Sequence, residues 1–209
     1  MRHATTQAIH DQYRETQSLI MHVAEGLSPE QWEARPAALG APLAFHVWHI
    51  AREADILRVL MCEAMQESSE QIWDRDGMAA RWGFPGESLG LLQSGIGMDD
   101  AGAALLPWPG HRELIDYLRQ AFSAVNHTVA ALNEDQPRVV FTRRASAVFG
   151  GAGTVERAMM RAIANGNRHL GIIGWISTSL YADRYNRDSL ITMDSNHQYA
   201  SASIAVADK

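Results

Sequence analysis

Residues 44–56 read AFHVWHIAREADI, and this stretch decides the fold. Its spacing predicts an amphipathic helix from near Pro42 to about Gln66. On a wheel at about 100° per residue with His46 at zero, Leu57 falls near 20° and Leu60 near 320°. His49 falls at about 300° and Glu53 at about 340°, inside the same apolar stripe. Arg52, Asp55 and Arg58 fall on the other side. A polar group on a core-facing stripe must find a partner, because burying it unpaired costs roughly 1–3 kcal/mol. The stretch is therefore either a site or a set of mutually satisfied core side chains.

Working outward, three more segments carry the helical period. In the first, Ile9, Tyr13, Thr16, Ile20, Val23 and Leu27 recur at three- and four-residue steps, ending near Gly26. Ser28, Pro29 and Gln31 then have the form of a capped helix start, a short turn that stops before Pro36. After Gly110, Leu114, Leu118, Ala121, Val125, Val129 and Leu132 mark a third long helix. The fourth opens at Thr154, an N-cap after the loop GGAG at 150–153, and its stripe runs from Val155 through Ala162, Gly166 and His169 to Ile176. On that wheel Asn165 and His169, one turn apart, lie at about 280° and 320°. Gly166 shares their face and is expected to thin the helix there and leave space. Two helices thus each bring imidazole and oxygen donors to a core-facing stripe, which in a bundle can converge on a metal or a small ligand.

Between the second and third long helices lies a less regular stretch, 68–109, with Trp73, Trp82 and Trp108. Its QIWDRDGMAARWG segment reads as one short helix ended by Gly83. A connection this long packs over something or has a job. Its tryptophans would either shape a pocket or build a second small core. The pattern predicts an all-α protein, a four-helix bundle with a crossover insert between helices two and three. One domain is expected over 1–182, followed by a polar tail, 183–209.

Composition bounds the rest. The chain has 209 residues, 46% hydrophobic and 20% charged, with a net charge of −6. Cys62 is the only cysteine, which rules out an intramolecular disulfide and fits a reducing, cytoplasmic home. The start, MRHATTQAIHDQYRE, lacks the apolar core of a signal peptide. No apolar run approaches the ~20 residues of a membrane span. No basic cluster offers phosphate contacts, so neither nucleic acid nor membrane is an expected partner. Among the histidines, His22 and His127 lie off the apolar faces and read as solvated, and His46 reads as a rim residue. His49 and Glu53, at i and i+4, could satisfy each other, and Arg168 could neutralise Glu53.

HVWHIAREAD at 46–55 and NGNRHLGIIGWI at 165–176 resemble the DinB-like (damage-inducible) four-helix bundles, and the resemblance runs from about residue 8 to 180. IWDRDGMAARWGFP and the GIGMDD loop resemble an insert carried by one branch of that superfamily. The resemblance implies a core site for a divalent metal, Zn²⁺ or Ni²⁺, held in the family by three histidines. One matches His49 in HIA, and a second matches His169, followed by Leu-Gly. The third maps to position 165, which is Asn here. An amide oxygen is a weaker donor than imidazole for such ions. The metal set implied is His49, Asn165 and His169, with His46 or Glu53 available to complete it. Family members include thiol-dependent transferases and hydrolases, in which the metal lowers a thiol's pKa. The expected function is a metal-dependent enzyme of that type acting on a small-molecule substrate such as a low-molecular-weight thiol, with Glu53 as general base or as the partner that orients His49. The alternative is a metal-free small-molecule-binding or structural bundle. A homodimer is expected, since related bundles pair through helices.

Overall fold

The computed structural model describes residues 4–35, 40–133, 135–140, 149 and 153–184. Four long helices form the frame: α1 (Ala4–Glu25), α3 (Leu43–Ala64), α7 (His111–Ala131) and α8 (Val155–Arg184). Four short ones join them: α2 (Pro29–Trp32), α4 (Ile72–Arg75), α5 (Met78–Arg81) and α6 (Asp100–Leu105). Among the described residues the only β pairing is two isolated bridges, Leu91 with Ile96 and Val140 with Thr154. The expected all-α bundle is what forms. α3 packs against α7 and α8, and α1 against the same two helices, which closes a ring of four. The expected tail beyond Arg184, and residues 150–152 of the GGAG loop, lie outside the described residues.

Local signals set the boundaries. The Ser28 N–H donates to Gln31 Oε1 at 2.6 Å, one half of a capping box, with Pro29 opening α2. Asp99 Oδ1 accepts from the Gly102 N–H at 2.6 Å and starts α6. Thr154 Oγ1 accepts from the Arg157 N–H at 3.3 Å and starts α8. The expected single helix over 71–83 is instead two one-turn helices. Gly77, at φ 58°, stands between them in a left-handed conformation that glycine adopts without steric cost.

Gly166 does not open the site. A Cβ there would meet Thr16 Cγ2 at 3.1 Å and Ile20 Cδ1 at 3.3 Å, so the glycine lets α1 lie close against α8. The space expected beside it is filled by α1.

The insert covers the side of α3 that faces away from α1. Trp73 stacks at an angle on Trp48 with ring centres 5.8 Å apart, and Trp82 lies 5.4 Å from Trp73. Trp108 meets Phe84 edge-on at 5.2 Å. The expected second small core does not stand apart: these aromatic rings are continuous with the bundle core, each pair adding roughly 0.5–1.5 kcal/mol beyond its burial. The cover also overturns the reading of Arg52 and Asp55 as lying opposite the core. Both are buried, at 1% and 0% exposure. Asp55 accepts from the backbone N–H groups of Ile72 (3.0 Å) and Trp73 (2.9 Å), the free donors at the start of α4, and from the Tyr117 hydroxyl (3.1 Å). Arg52 donates to the carbonyls of Gln93 (2.8 Å) and Leu92 (2.9 Å), to Gln71 Oε1 (2.8 Å) and to Tyr117 (3.1 Å). Its guanidinium sits 4.7 Å from the Trp73 ring centre. Arg58 is partly buried too and donates to Ser69 Oγ and the Glu70 carbonyl, holding down the start of the insert.

Candidate functional site

The stripe of α3 that carries His46, His49 and Glu53 faces the stripe of α8 that carries Asn165 and His169. The His49 and His169 ring centres lie 4.7 Å apart and those of His46 and His169 5.1 Å apart. The structure therefore brings together every side chain that the sequence put forward for the site.

The hydrogen bonds fix the polarity of each group. His49 Nδ1 lies 2.6 Å from the Ser94 carbonyl oxygen, which can only accept, so Nδ1 carries the hydrogen. In the neutral ring that leaves Nε2 as an acceptor. Asn165 Nδ2 reaches both His49 Nε2 at 3.2 Å and Glu53 Oε2 at 2.6 Å, and its two hydrogens satisfy the two acceptors. The Asn165 oxygen in turn accepts from Arg168 Nη2 at 2.8 Å. The chain of bonds therefore runs without a conflict from Arg168 through Asn165 to Glu53 and His49, and on to Ser94. Glu53 Oε1 also stands 3.4 Å from His49 Nε2.

His46 is not a rim residue. It is buried, and its Nδ1 lies 3.0 Å from His169 Nδ1, so one of the two rings donates to the other. His169 Nε2 is then left buried with no partner among the described residues. Burial, the adjacent His49 ring and Arg168 pull the His46 pKa from 6.5 down to about 4. Burial, His49, His46 and Arg168 take His169 down to about 2. Both rings are neutral at pH 7.

His49, Glu53, Asn165 and His169, but not His46, line a cavity of about 480 Å³ between α3, α8 and the insert, within the range of about 300–1,000 Å³ usual for small-molecule sites. Phe45, Ile96, Met98 and Phe149 make its apolar wall, and Arg161 and Arg168 add cationic groups. The insert contributes its Gly95–Met98 turn to the lining, while its tryptophans stay in the aromatic core. Gly95 cannot be replaced without movement. It has φ 87°, and a Cβ there would meet Phe45 Cε2 and Trp48 Cζ3 at 2.9 Å each. That close approach delivers the neighbouring Ser94 carbonyl to His49. Sequence reasoning missed Ser94, Arg161 and the whole Gly95–Met98 turn. Only Arg161 left a usable signal, since Arg161, Asn165 and Arg168 recur at i, i+4 and i+7.

The sequence profile of the DinB superfamily matches residues 12–173. The chain belongs to the DinB superfamily. The fold of this DinB superfamily member is similar to that of a conserved protein from Enterococcus faecalis known from its crystal structure. The TM-score is 0.65 at 17% identity, over 84% of this chain and 95% of that one. No curated protein matches the chain.

These side chains fit only in part the three-histidine metal set that the superfamily resemblance implies. Two donors have the right form. His49 and His169 each engage Nδ1 with another group and turn Nε2 free of that bond, as ligating histidines do. The third position does not fit. Asn165 presents its NH₂ to His49 Nε2 and Glu53, and an N–H donor is not a ligand for a cation. Among the described residues no three His, Cys, Asp or Glu side chains are grouped to hold a metal ion. The Asn165 amide bridges the two acceptors that a cation would otherwise bridge.

Proposed function

We propose that the cavity between α3 and α8 is a small-molecule site in which His49 and Glu53 act as proton acceptors, in a hydrolase- or thiol-transferase-type reaction. The observation that carries this reading is the Asn165 amide. Its two hydrogens already mark where a donor must sit to reach His49 Nε2 and Glu53 Oε2 together. A ligand O–H or S–H that takes the place of the Asn165 amide would lose its proton to one of these groups and become the stronger nucleophile. The Ser94 carbonyl supports the role of His49, because it fixes the tautomer that accepts. The low pKa values of His46 and His169 leave both rings without charge at neutral pH.

The test is a panel of small carboxylates, phosphates, amines and thiols added to ¹⁵N-labelled protein. Shifts confined to the His49 and His169 imidazoles and the Asn165 side-chain amide are expected with at least one class. A panel in which every response maps elsewhere would refute the reading.

A second reading is favoured by one observation, the unpartnered buried Nε2 of His169. It is a divalent cation, Zn²⁺ or Ni²⁺, held by His49, His169 and Glu53 or His46 once Asn165 turns its oxygen inward. Metal titration, described in the Discussion, separates the two.

A further inference from the structure

The cavity is polarised from mouth to floor. Glu53 is the one carboxylate among the described residues that line it, and it lies on the floor beside His49. Arg161 and Arg168 line it from α8. Arg168 donates to the Asn165 oxygen and, among the described residues, to no carboxylate. Arg161 is half-buried and has no hydrogen bond or ion pair among the described residues. From Arg157 to Ala182, α8 carries no acidic residue, so nothing on the helix neutralises these two guanidinium groups. An arginine half out of water without an anion is poorly compensated, and its planar fork matches carboxylate and phosphate oxygens.

The floor asks for the opposite. His49 Nε2 and Glu53 are both acceptors, and the ring nitrogen of His169 is neutral. An anion placed there would meet Glu53 head on. A hydrogen-bond donor would not. Arg161 stands one turn before Asn165 on the same face, about 6 Å along the helix axis at ~1.5 Å per residue. The wall between them is apolar, with Phe45, Ile96, Met98 and Phe149.

We propose that the ligand of this cavity is a small molecule with an anionic head, carboxylate or phosphate, held by Arg161, and an O–H, N–H or S–H group about one helical turn away that takes the place of the Asn165 amide and donates to His49 and Glu53. This rests on the reading of the cavity as a small-molecule site and specifies what that molecule must carry. Arg161 is its specificity determinant. Arg168, through its bond to the Asn165 oxygen, sets the floor.

Four rigid probes test it on the full chain: 4-(hydroxymethyl)benzoate, its neutral amide, 4-methylbenzoate, and 4-(hydroxymethyl)phenylphosphonate. Binding is followed by the His49 imidazole resonances. The hydroxymethylbenzoate is expected to bind at least tenfold more tightly than the amide, which lacks the charge, and severalfold more tightly than 4-methylbenzoate, which lacks the donor. The phosphonate arm decides between carboxylate and phosphate as the preferred head. Arg161→Gln should lower affinity for the benzoate at least tenfold and leave the amide unchanged, and Arg161→Lys should recover part of the loss. Benzoate and amide affinities within twofold of each other in the native protein would overturn the proposal, and this comparison needs no variant to fold. An Arg161→Gln effect equal on both probes would overturn it as well. If none of the four shifts His49 while another compound of the broad panel does, the anionic class is refuted and the small-molecule reading stands. If nothing in either set shifts His49, both fall.

Discussion

Asp55→Ala should be among the most damaging substitutions in this chain although Asp55 lies outside the cavity. Its carboxylate is fully buried and accepts from two backbone N–H groups and the Tyr117 hydroxyl, with Arg52 Nη1 at 3.4 Å. The alanine variant removes every one of these acceptors and leaves the Arg52 charge without its counter-ion. Breaking a buried ion pair from one side costs about 3–5 kcal/mol. Unfolding entropy of ~2.1 cal/mol/K per residue gives about 0.44 kcal/mol/K for a chain of this length. The expected fall in Tm is therefore about 7–11 °C. Differential scanning calorimetry reads it, with Arg119→Ala as the control. Arg119 pairs with Glu25 and Asp116 in water and should barely move Tm. A double variant, Arg52→Met with Asp55→Leu, should lose less than Asp55→Ala alone, because it removes both charges. A Tm within about 2 °C of wild type for Asp55→Ala would refute the account, since a buried guanidinium left unpaired cannot be that cheap.

Two further outcomes follow from the site. His46 and His169 have folded pKa values of about 4 and about 2, below the ordinary 6.5, so between pH 6.5 and 4 the unfolded chain binds more protons than the folded one. Stability is therefore fully present above pH 6.5 and falls as the pH drops, by about 2 kcal/mol per ring between pH 7 and pH 5. Urea unfolding at the two pH values checks it, and equal midpoints would contradict the neutral buried rings. Asn165→His should convert the site into the three-histidine set, because position 165 already reaches within 3.2 Å of His49 Nε2. Calorimetric titration of Zn²⁺ and Ni²⁺ into stripped protein should show binding at least about tenfold tighter than in wild type, and none in His169→Ala. Tight wild-type binding that disappears in Glu53→Gln would establish the metal reading instead.

The frame and the heart of the site were legible because both rest on one period. His49, Glu53, Asn165 and His169 fall on apolar stripes, and residues on facing stripes of packed helices meet. The same rule misplaced Arg52 and Asp55. A wheel assigns one buried side, but α3 has two, since the bundle covers one and the insert the other. The sequence does hold a trace of this, for Val47, Trp48, Ala51 and Ile56 spread apolar character around the whole helix. Gly166 was misread for a related reason: a missing side chain marks a close approach, and nothing in the helix itself says whether a ligand or α1 makes it. His46 was taken for a rim residue from its place near the helix start, and the insert's aromatic core closes over that end. Ser94 acts through its backbone oxygen, which no side-chain pattern encodes.

Three consecutive carbonyls of the insert, at Leu92, Gln93 and Ser94, are taken up by two side chains of α3, Arg52 and His49. Every residue type offers that oxygen. The histidine therefore keeps its orientation wherever the path of the main chain is kept, which here rests on left-handed backbone at Leu92 and Gln93 (φ 52° each) and at Gly95 (φ 87°) and on the Ser94 hydroxyl donating to the Leu91 carbonyl. Inheritance of such a contact is recorded in chain geometry rather than in letters. Comparison of this turn between distant relatives should accordingly find the oxygen in place where alignment of its residues finds nothing.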